Sequence, residues 1–345
     1  MKTRDESIFL KRIQKYENQI YQQHEHAVVE GFEYLMSNEY KQKRGAIKSR
    51  MWSLFCHQKK SQLFKLFRHM LTLFPGMISN IKKNYIMMEP YVQALEQQTE
   101  LPKTPKKIVD QYPNEMIWKE LCAYAYDKHR IVIGFTEVPQ SLIFKEKAIP
   151  YKYALVCLQE MKKDQIEMAP KIEAGMEVAS VYHSLGIATN DILCFLHDMY
   201  GIQGMANHPL GGLVDYIPLA KKAGLGGIGR HGLLIAENFG PRHRISPIYI
   251  DEKLFAVTDT NCNVFIDPFC ETCGQCVKHC PQKAIYEKPK FISHYDVSRY
   301  ESFDREACFK SFSATMGCSI CLSVCPFSKN PTLYRKLKNK MENTE

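Results

Sequence analysis

The sequence contains no long uninterrupted apolar run. No window approaches the roughly 18 apolar residues that a membrane-spanning helix requires, so we expect no transmembrane span. The first six residues, Met1 to Glu6, contain neither the apolar core of a signal peptide nor twin arginines. Together these absences predict a cytoplasmic protein.

A second absence concerns acidic residues, because no Asp or Glu occurs between Tyr40 and Met88. This basic block, residues 40–88, is rich in lysine and arginine, and the whole chain has a formal net charge of +9. Such a block could face an acidic partner protein, RNA or an anionic membrane surface. A solvated face without a partner is the equally open alternative.

The remaining composition is ordinary, with one exception. A chain of 345 residues with 45% hydrophobic and 24% charged residues is typical of one or two globular domains with a sizeable core. The exception is cysteine, of which the chain has thirteen.

Eight of these cysteines form two runs. The first, from Cys270 to Pro281, reads C-x2-C-x2-C-x3-C-P. The second, from Cys318 to Pro326, reads C-x2-C-x3-C-P and has a further cysteine ten residues upstream. The first spacing wraps a peptide round a [4Fe–4S] cluster, and in two-cluster ferredoxins the fourth cysteine of each run ligates the other cluster. The predicted ligands are Cys270, Cys273, Cys276 and Cys325 for one cluster and Cys308, Cys318, Cys321 and Cys280 for the other.

A zinc site is the alternative interpretation of paired cysteines. Zinc modules need only four thiolates and pair two C-x2-C units across about 15–20 residues. Two interlocking sets that each end in Cys-Pro favour the clusters, and redox chemistry follows from them. The other cysteines are expected to be buried free thiols: Cys56, Cys122, Cys157, Cys194 and Cys262.

The first hundred residues have helical character. Apolar residues recur at helical spacing from Leu63 to Phe74, and Pro75-Gly76 ends that predicted helix. It could lie on a membrane, although packing on the core is the favoured alternative. The Pro- and Lys-rich run 101–107 is typical of a linker.

Further along, strand and helix signals are mixed. Apolar runs at 131–135 and 153–158 have strand length. The run Ile245 to Ile250 predicts another strand, at a sheet edge because Pro247 lacks an N–H group.

Two helices are predicted between these strands. Helical spacing from Lys171 to Leu185 predicts a helix that ends at Gly186, and a shorter helix is expected after Asn190. No regular βαβ rhythm is present, so the predicted fold class is α+β.

A glycine-rich segment follows. Residues 224–229 contain G-x-G-x-x-G, but the preceding residues 217–222 have helical rather than strand character, which argues against a dinucleotide site. Four glycines in six residues still indicate a backbone that something large approaches closely.

Residues 217–235 read I-P-L-A-x-x-A-G-L-G-x-x-G-R-H-G-L-L-I, and residues 239–244 read F-G-P-R-x-R. This pattern resembles the corrinoid-binding core of reductive dehalogenases. Epoxyqueuosine reductase, a relative of that core, also has two [4Fe–4S] clusters after it, and the displaced Cys308 is similar to that family's pattern. The resemblance covers about residues 120–328.

The helical character of the N-terminus, the composition and the resemblance together predict a domain order. A helical N-terminal region (1–107) precedes a nitroreductase-like α+β corrinoid-binding domain (108–255). A ferredoxin-like domain with two [4Fe–4S] clusters (256–330) and a basic C-terminal tail (331–345) follow.

The implied function is a cobalamin-dependent reductase in which the two clusters pass electrons to cobalt for reduction of a small organic substrate. A ferredoxin or flavodoxin would be the electron donor. One alternative is an accessory electron-transfer protein without its own catalysis. Another is an epoxyqueuosine-type reductase that binds tRNA through the basic block.

The resemblance also implies site residues. The interval that carries the proton-donating tyrosine of reductive dehalogenases is cut short here, so the proton-donor candidates are Tyr182, His183 and His231. Arg230 would face the corrinoid or a developing negative charge. The expected corrinoid-loop residues are Gly224, Gly226 and Gly229.

Some features depart from the family or remain weak signals. The family's Gly-Leu-Gly-Glu ends here in Gly227. Asp127-Lys-His129 only begins a D-x-H-x-x-G cobalamin signature, so His129 is expected to be an ordinary surface histidine. Three polar residues could line a pocket: Asn190, Asp191 and His208.

Overall fold

The computed structural model describes residues 4–23, 89–101, 114–144, 147, 149–210, 212–250, 253, 255, 263–293, 298–315 and 317–343. The basic block, the predicted helix at 63–74 and all but the first residue of the predicted linker lie outside these residues, as do Cys56 and Cys262. The predicted domain boundary between residues 255 and 256 also falls beside undescribed residues, so the domain division stays a prediction.

The described chain mixes helices and strands, which confirms the mixed fold class. The helices are α1 (Arg4–Gln23), α2 (89–99), α3 (Asn114–His129), α4 (Lys163–Glu167), α5 (Ile172–Tyr200), α6 (Tyr216–Lys222), α7 (Ile266–Cys273), α8 (Gln275–His279), α9 (Arg305–Ala314), α10 (Ile320–Ser323), α11 (Pro326–Lys329) and α12 (Thr332–Glu342). The strands are β1 (Ile131–Glu137), β2 (Tyr153–Glu160), β3 (Gly204–Ala206), β4 (Gly227–Ile228), β5 (Leu234–Ile235), β6 (His243–Ile250), β7 (Ile285–Ser293) and β8 (Ser298–Phe303).

The largest sheet has the strand order β1-β2-β6-β3, and all its neighbouring strands are antiparallel. Successive side chains of a strand point to opposite faces. On β2, Ala154, Val156 and Leu158 therefore join one core with residues of α1, α2 and α6, whereas Leu155 and Cys157 join another with residues of α3 and α5. Because both faces are covered, the strand is a continuous apolar run, as its sequence predicts.

The long helix α5 differs from its prediction. It runs without a break through Gly186 and ends at Gly201, whose φ of 70° is the left-handed conformation typical of a helix C-terminus. The predicted end at Gly186 is wrong. A side chain there would clash with the ring of His208, so the glycine is needed for packing. The predicted separate helix after Asn190 is also wrong, since Asn190 lies inside α5 and donates a 2.9 Å hydrogen bond to the Ala94 carbonyl of α2.

The predicted edge position of β6 is wrong as well, because β6 lies between β2 and β3. Pro247 is nevertheless tolerated. Its carbonyl accepts a 3.0 Å hydrogen bond from the Asn207 N–H, just beyond the last residue of the short β3. In antiparallel sheets the N–H and C=O of one residue point to the same side, so the missing N–H of Pro247 faces the point where β3 ends.

The described C-terminal residues form a helix rather than an extended tail. On α12, Leu333, Tyr334, Leu337 and Met341 pack against a core that includes Cys325. The lysines of α12 lie toward solvent or are partly exposed. The basic character that the sequence predicts for this end is therefore confined to one face of a packed helix.

Asp191 joins α3 to α5 through three hydrogen bonds. Its carboxylate accepts from the Tyr124 hydroxyl at 2.6 Å and from the Lys128 ammonium at 3.0 Å, and it lies 2.7 Å from Nε2 of His129. Burial alone would raise the pKa of Asp191, but these hydrogen bonds outweigh burial and lower it. Because the pKa is lower in the folded chain, the stabilisation is complete above the unfolded value of about 3.9 and is lost as the pH falls through the folded value.

We expect Asp191→Asn to lower the free energy of unfolding at pH 7 by about 1–2 kcal/mol, because it weakens hydrogen bonds to a charged acceptor. The difference from wild type should narrow below about pH 4, where wild-type Asp191 also loses its charge. Thermal unfolding between pH 7 and pH 3 measures this. Asp127→Asn, an exposed site on α3, is the matched control and should change stability little. A difference that stays constant with pH would contradict the assignment.

Candidate iron–sulfur and reductase site

The first cysteine run is built from two short helices joined by a tight turn. Cys270 and Cys273 lie on α7, and Cys276 lies on α8. Between them Gly274 has a φ of 59°, a conformation that glycine adopts without a steric penalty, so the chain can reverse between the two helices. The thiols of Cys270, Cys273 and Cys276 therefore face one region.

Cys325 returns to this region from the second run. It is the N-cap residue of α11, and Pro326 occupies the first helical position, where a missing N–H costs nothing. A small cavity, partly open to solvent, is the result. Its walls are formed by Cys270, Cys273, Cys276, Cys325, Arg230, His231, Phe269, Gly274, Pro326 and Phe327.

The other four cysteines form a second group. The thiols of Cys280 and Cys318 are close enough to Cys308 to reinforce the effect of burial, which raises the pKa of Cys308. Burial also raises the pKa of Cys321, and Cys308, Cys318, Cys276 and Cys280 add to it. The structure thus brings together the same two sets that the cysteine spacing predicts, and Cys276 and Cys321 lie where the sets adjoin.

This arrangement fits clusters better than single ions. Within the described part of the chain, no group of three or more His, Cys, Asp or Glu side chains converges closely enough to hold one metal ion. The first four thiols instead surround a cavity, and a cubane cluster binds each thiolate at a separate iron. Burial raises the pKa of Cys276 to about 11 and that of Cys325 to about 12, so iron rather than solvent has to stabilise their thiolates.

Arg230 and His231 lie in the wall of this cavity. Burial raises the pKa of Cys270, and the nearby backbone N–H of Arg230 partly offsets this effect. The Arg230 guanidinium donates to the Glu287 carbonyl. The Leu233 N–H donates to Nδ1 of His231 at 3.1 Å, whereas Nε2 is buried with no hydrogen-bond partner among the described residues. Burial lowers the pKa of His231 to about 4, so the ring is neutral at pH 7.

Contacts within the chain itself explain why residues 224, 226 and 229 are glycine. Gly224, with a φ of 72°, ends α6. A side chain at Gly226 would clash with the Ile235 carbonyl, and one at Gly229 would lie 2.6 Å from Cδ1 of Ile235. The close approach that the sequence predicts is therefore made by β5, and contact with a corrinoid stays a prediction.

Tyr182 and His183 lie on α5 in a second polar region. The Arg244 guanidinium lies over the Tyr182 ring at 4.8 Å, and Nε of Arg244 and Nδ1 of His183 are buried without hydrogen-bond partners among the described residues. His208 lies close to His183, and burial lowers its pKa to about 3. Tyr182 and Cys321 pack against the same apolar group, which places the second cysteine set beside this region.

Two arginines of the F-G-P-R-x-R pattern contribute in ways that the sequence analysis missed. Arg244 covers Tyr182. Arg242 is only 1% exposed and donates to the Glu160 carboxylate at 2.7 Å, to the Met161 carbonyl at 2.8 Å and to the Ser328 carbonyl at 3.4 Å. The F-G-P-R-x-R motif marks both arginines in the sequence, but it does not reveal which residues they contact.

Comparison with known proteins identifies the cysteine region. Residues 269–328 match the family model described as the 4Fe-4S double cluster binding domain. The chain is therefore an iron–sulfur protein with two [4Fe–4S] clusters, as the cysteine spacing predicts.

The similarity extends upstream of this domain. The chain is 33% identical to a tetrachloroethene reductive dehalogenase of Desulfitobacterium hafniense over 201 residues, which are 55% of this chain and 34% of that protein. It is 30% identical to the epoxyqueuosine reductase of Cellulophaga algicola over 118 residues, which are 32% of this chain and 36% of that enzyme. Both relatives are oxidoreductases, and the chain spans about a third of the length of each.

A solved structure shows the same fold. The catabolic reductive dehalogenase NpRdhA in complex with 3-bromo-4-hydroxybenzoic acid superposes with a TM-score of 0.57 at 19% identity, over 73% of this chain and 38% of that one. The resemblance inferred from residues 217–244 and from the cysteines is thus confirmed for part of the chain. In the described residues, no helix is both long and apolar enough to cross a bilayer.

We expect Cys276→Ala to remove one cluster, lowering iron from about eight to about four atoms per chain in anaerobically purified protein. Cys122→Ala, which changes a free thiol outside both sets, is the matched control and should keep full iron. Iron analysis together with EPR of the reduced protein measures both. Unchanged iron in Cys276→Ala would contradict the ligand assignment.

Proposed function

We propose that this chain is a corrinoid-dependent iron–sulfur reductase of the reductive dehalogenase type that acts on a small organic substrate. The observation that carries the proposal is the position of Tyr182, between the Arg244 guanidinium and the apolar group that includes Cys321. A proton source and the end of an electron path therefore lie side by side. The similarity to reductive dehalogenases supports the same conclusion.

The proposed electron path rests on which cysteine set lies beside α5. In the proposed ligand sets, Cys321 packs against the same apolar group as Tyr182 of α5, whereas Cys270, Cys273, Cys276 and Cys325 surround a cavity that is partly open to solvent. We therefore place the second set on the side of the reaction and the first set on the side of the electron donor. The proposed donor is a ferredoxin or flavodoxin.

The corrinoid would lie near the polar region of α5. The buried, unpartnered Nδ1 of His183 and Nε of Arg244 fit a ligand with many polar side groups, because buried polar atoms normally have hydrogen-bond partners. When bound, a corrinoid would supply a low-potential cobalt centre that reduces the substrate. His183 and Arg244 would orient it, and the loop with Gly224, Gly226 and Gly229 would border it.

Tyr182 is the proposed proton donor. Its hydroxyl can give a proton to the substrate, and the Arg244 guanidinium over its ring at 4.8 Å stabilises the negative charge that develops on the oxygen. His183, the next residue on α5, is the alternative donor. His208 is less suitable, because its ring packs against Gly186 and burial holds it neutral.

A second candidate is an epoxyqueuosine-type reductase acting on tRNA, which the similarity to that enzyme favours. A third is an electron-transfer protein without its own catalysis. Under each of these functions we propose a cytoplasmic location.

Cofactor content separates these functions. We expect anaerobically purified protein to contain about one cobalt and about eight irons per chain, with the EPR signal of a cobalt(II) corrinoid. Eight irons without any tetrapyrrole would favour the electron carrier and contradict the proposal. A salt-sensitive mobility shift with tRNA would support the second candidate, and no shift at low salt would remove it.

Replacing Tyr182 tests the proton donor. We expect Tyr182→Phe to lower turnover of a reducible organohalide by about 10²–10⁴-fold, the usual contribution of general acid catalysis, while iron and cobalt contents stay unchanged. Tyr126→Phe is the matched control, because Tyr126 also has an arginine 5.0 Å from its ring but is 50% exposed. Wild-type turnover by Tyr182→Phe would exclude Tyr182 as the donor.

A further inference from the structure

His231 lies beside the first cysteine set and has a polar group that is unpaired among the described residues. It is 4% exposed and lies in the wall of the cavity formed by Cys270, Cys273, Cys276 and Cys325. Nδ1 accepts the backbone N–H of Leu233 at 3.1 Å. A neutral imidazole has one donor and one acceptor nitrogen, so its proton is on Nε2.

The Nε2–H group has no partner in the described protein. It is buried and makes no hydrogen bond there. Buried donors are rarely left unpaired, because the hydrogen bond to water that they lose on burial has to be replaced. The cavity that His231 lines is walled by four thiols, so the acceptor that fits this position is a sulfur atom of the group that they bind.

The turn around His231 holds the ring in place. The Gly229 N–H donates to the Leu233 carbonyl at 2.9 Å, and the Gly232 N–H donates to the Gly229 carbonyl at 2.8 Å. A side chain at Gly229 would lie 2.9 Å from Cε1 of the ring, and Gly232 has a φ of 76°. The backbone N–H of Arg230, in the same turn, lies near the Cys270 thiol. One rigid turn therefore presents two N–H donors to one cavity.

We propose that His231 donates its Nε2–H to a sulfur of the [4Fe–4S] cluster held by Cys270, Cys273, Cys276 and Cys325, and so raises the reduction potential of that cluster. A hydrogen bond to sulfur favours the reduced cluster, which carries one more negative charge. His231 is then a tuning residue at the electron-entry cluster and not the proton donor that its sequence position suggests.

The inference depends on the cluster assignment but not on the corrinoid. Iron analysis of Cys276→Ala tests the assignment, and cobalt analysis tests the reductase proposal. If the protein contains full iron but no cobalt, the reductase proposal fails, and the role of His231 can still be tested by its effect on the cluster potential. The failure of the reductase proposal is therefore distinguishable from the failure of the His231 proposal.

The test is an EPR-monitored redox titration of the anaerobic full-length chain. In His231→Phe, which removes the donor and keeps a ring, we expect one of the two clusters to shift. The reduced-to-oxidised ratio at a fixed potential should fall about tenfold, which is about 59 mV for a one-electron couple. His231→Gln, which restores an N–H donor, should lie closer to wild type than to the Phe variant. Equal potentials in wild type and His231→Phe at full iron content would overturn the proposal, as would a Gln variant that behaves like Phe.

A second measurement detects the hydrogen bond directly in the wild-type protein. In wild-type protein labelled with ¹⁵N-histidine, pulsed EPR of the reduced clusters should show a weak coupling to a histidine nitrogen. The coupling should disappear in His231→Gln and persist in a His129→Gln control, because His129 contacts Asp191 instead. Absence of coupling in the wild type, or its persistence in His231→Gln, would overturn the proposal.

Discussion

The arrangement of the whole site depends on one buried guanidinium. Arg242, at the start of β6, donates to Glu160 and Met161 at the end of β2 and to Ser328 of α11. It thereby fixes the segment that follows Cys325 against the main sheet. A buried charge of this kind is retained only when its hydrogen bonds are satisfied, so it tolerates little displacement of the two parts. This contact joins the end of the second cysteine run to the sheet that packs on α5.

Sequence patterns correctly predicted those features of the fold that interactions between neighbouring residues determine. The cysteine spacing predicted the cluster domain, because ligand geometry restricts the chain over only a few residues. The strands β1 and β2 were predicted from their apolar runs, and residues 217–222 lie in a helix, as their sequence predicts. In each case neighbouring residues in sequence supply the deciding interaction.

Predictions failed where a distant residue decides the outcome. Gly186 has the appearance of a helix end, but His208 occupies the space beside it and the helix continues. Pro247 suggests a sheet edge, but β3 is so short that its pairing ends just where the proline lacks its N–H. The surroundings of Arg230 and His231 likewise depend on distant residues. The folding of the β4–β5 turn toward α7 brings both to the cysteine cavity, which nothing in their local sequence reveals, and contact of Arg230 with a corrinoid stays a prediction.

The interlocking of the two cysteine runs has a consequence for biosynthesis. In the proposed ligand sets Cys325 completes the group that begins with Cys270, and Cys280 completes the group that begins with Cys308. Neither group is whole until the ribosome has passed the second run. Completion of either cluster therefore has to follow translation of both runs.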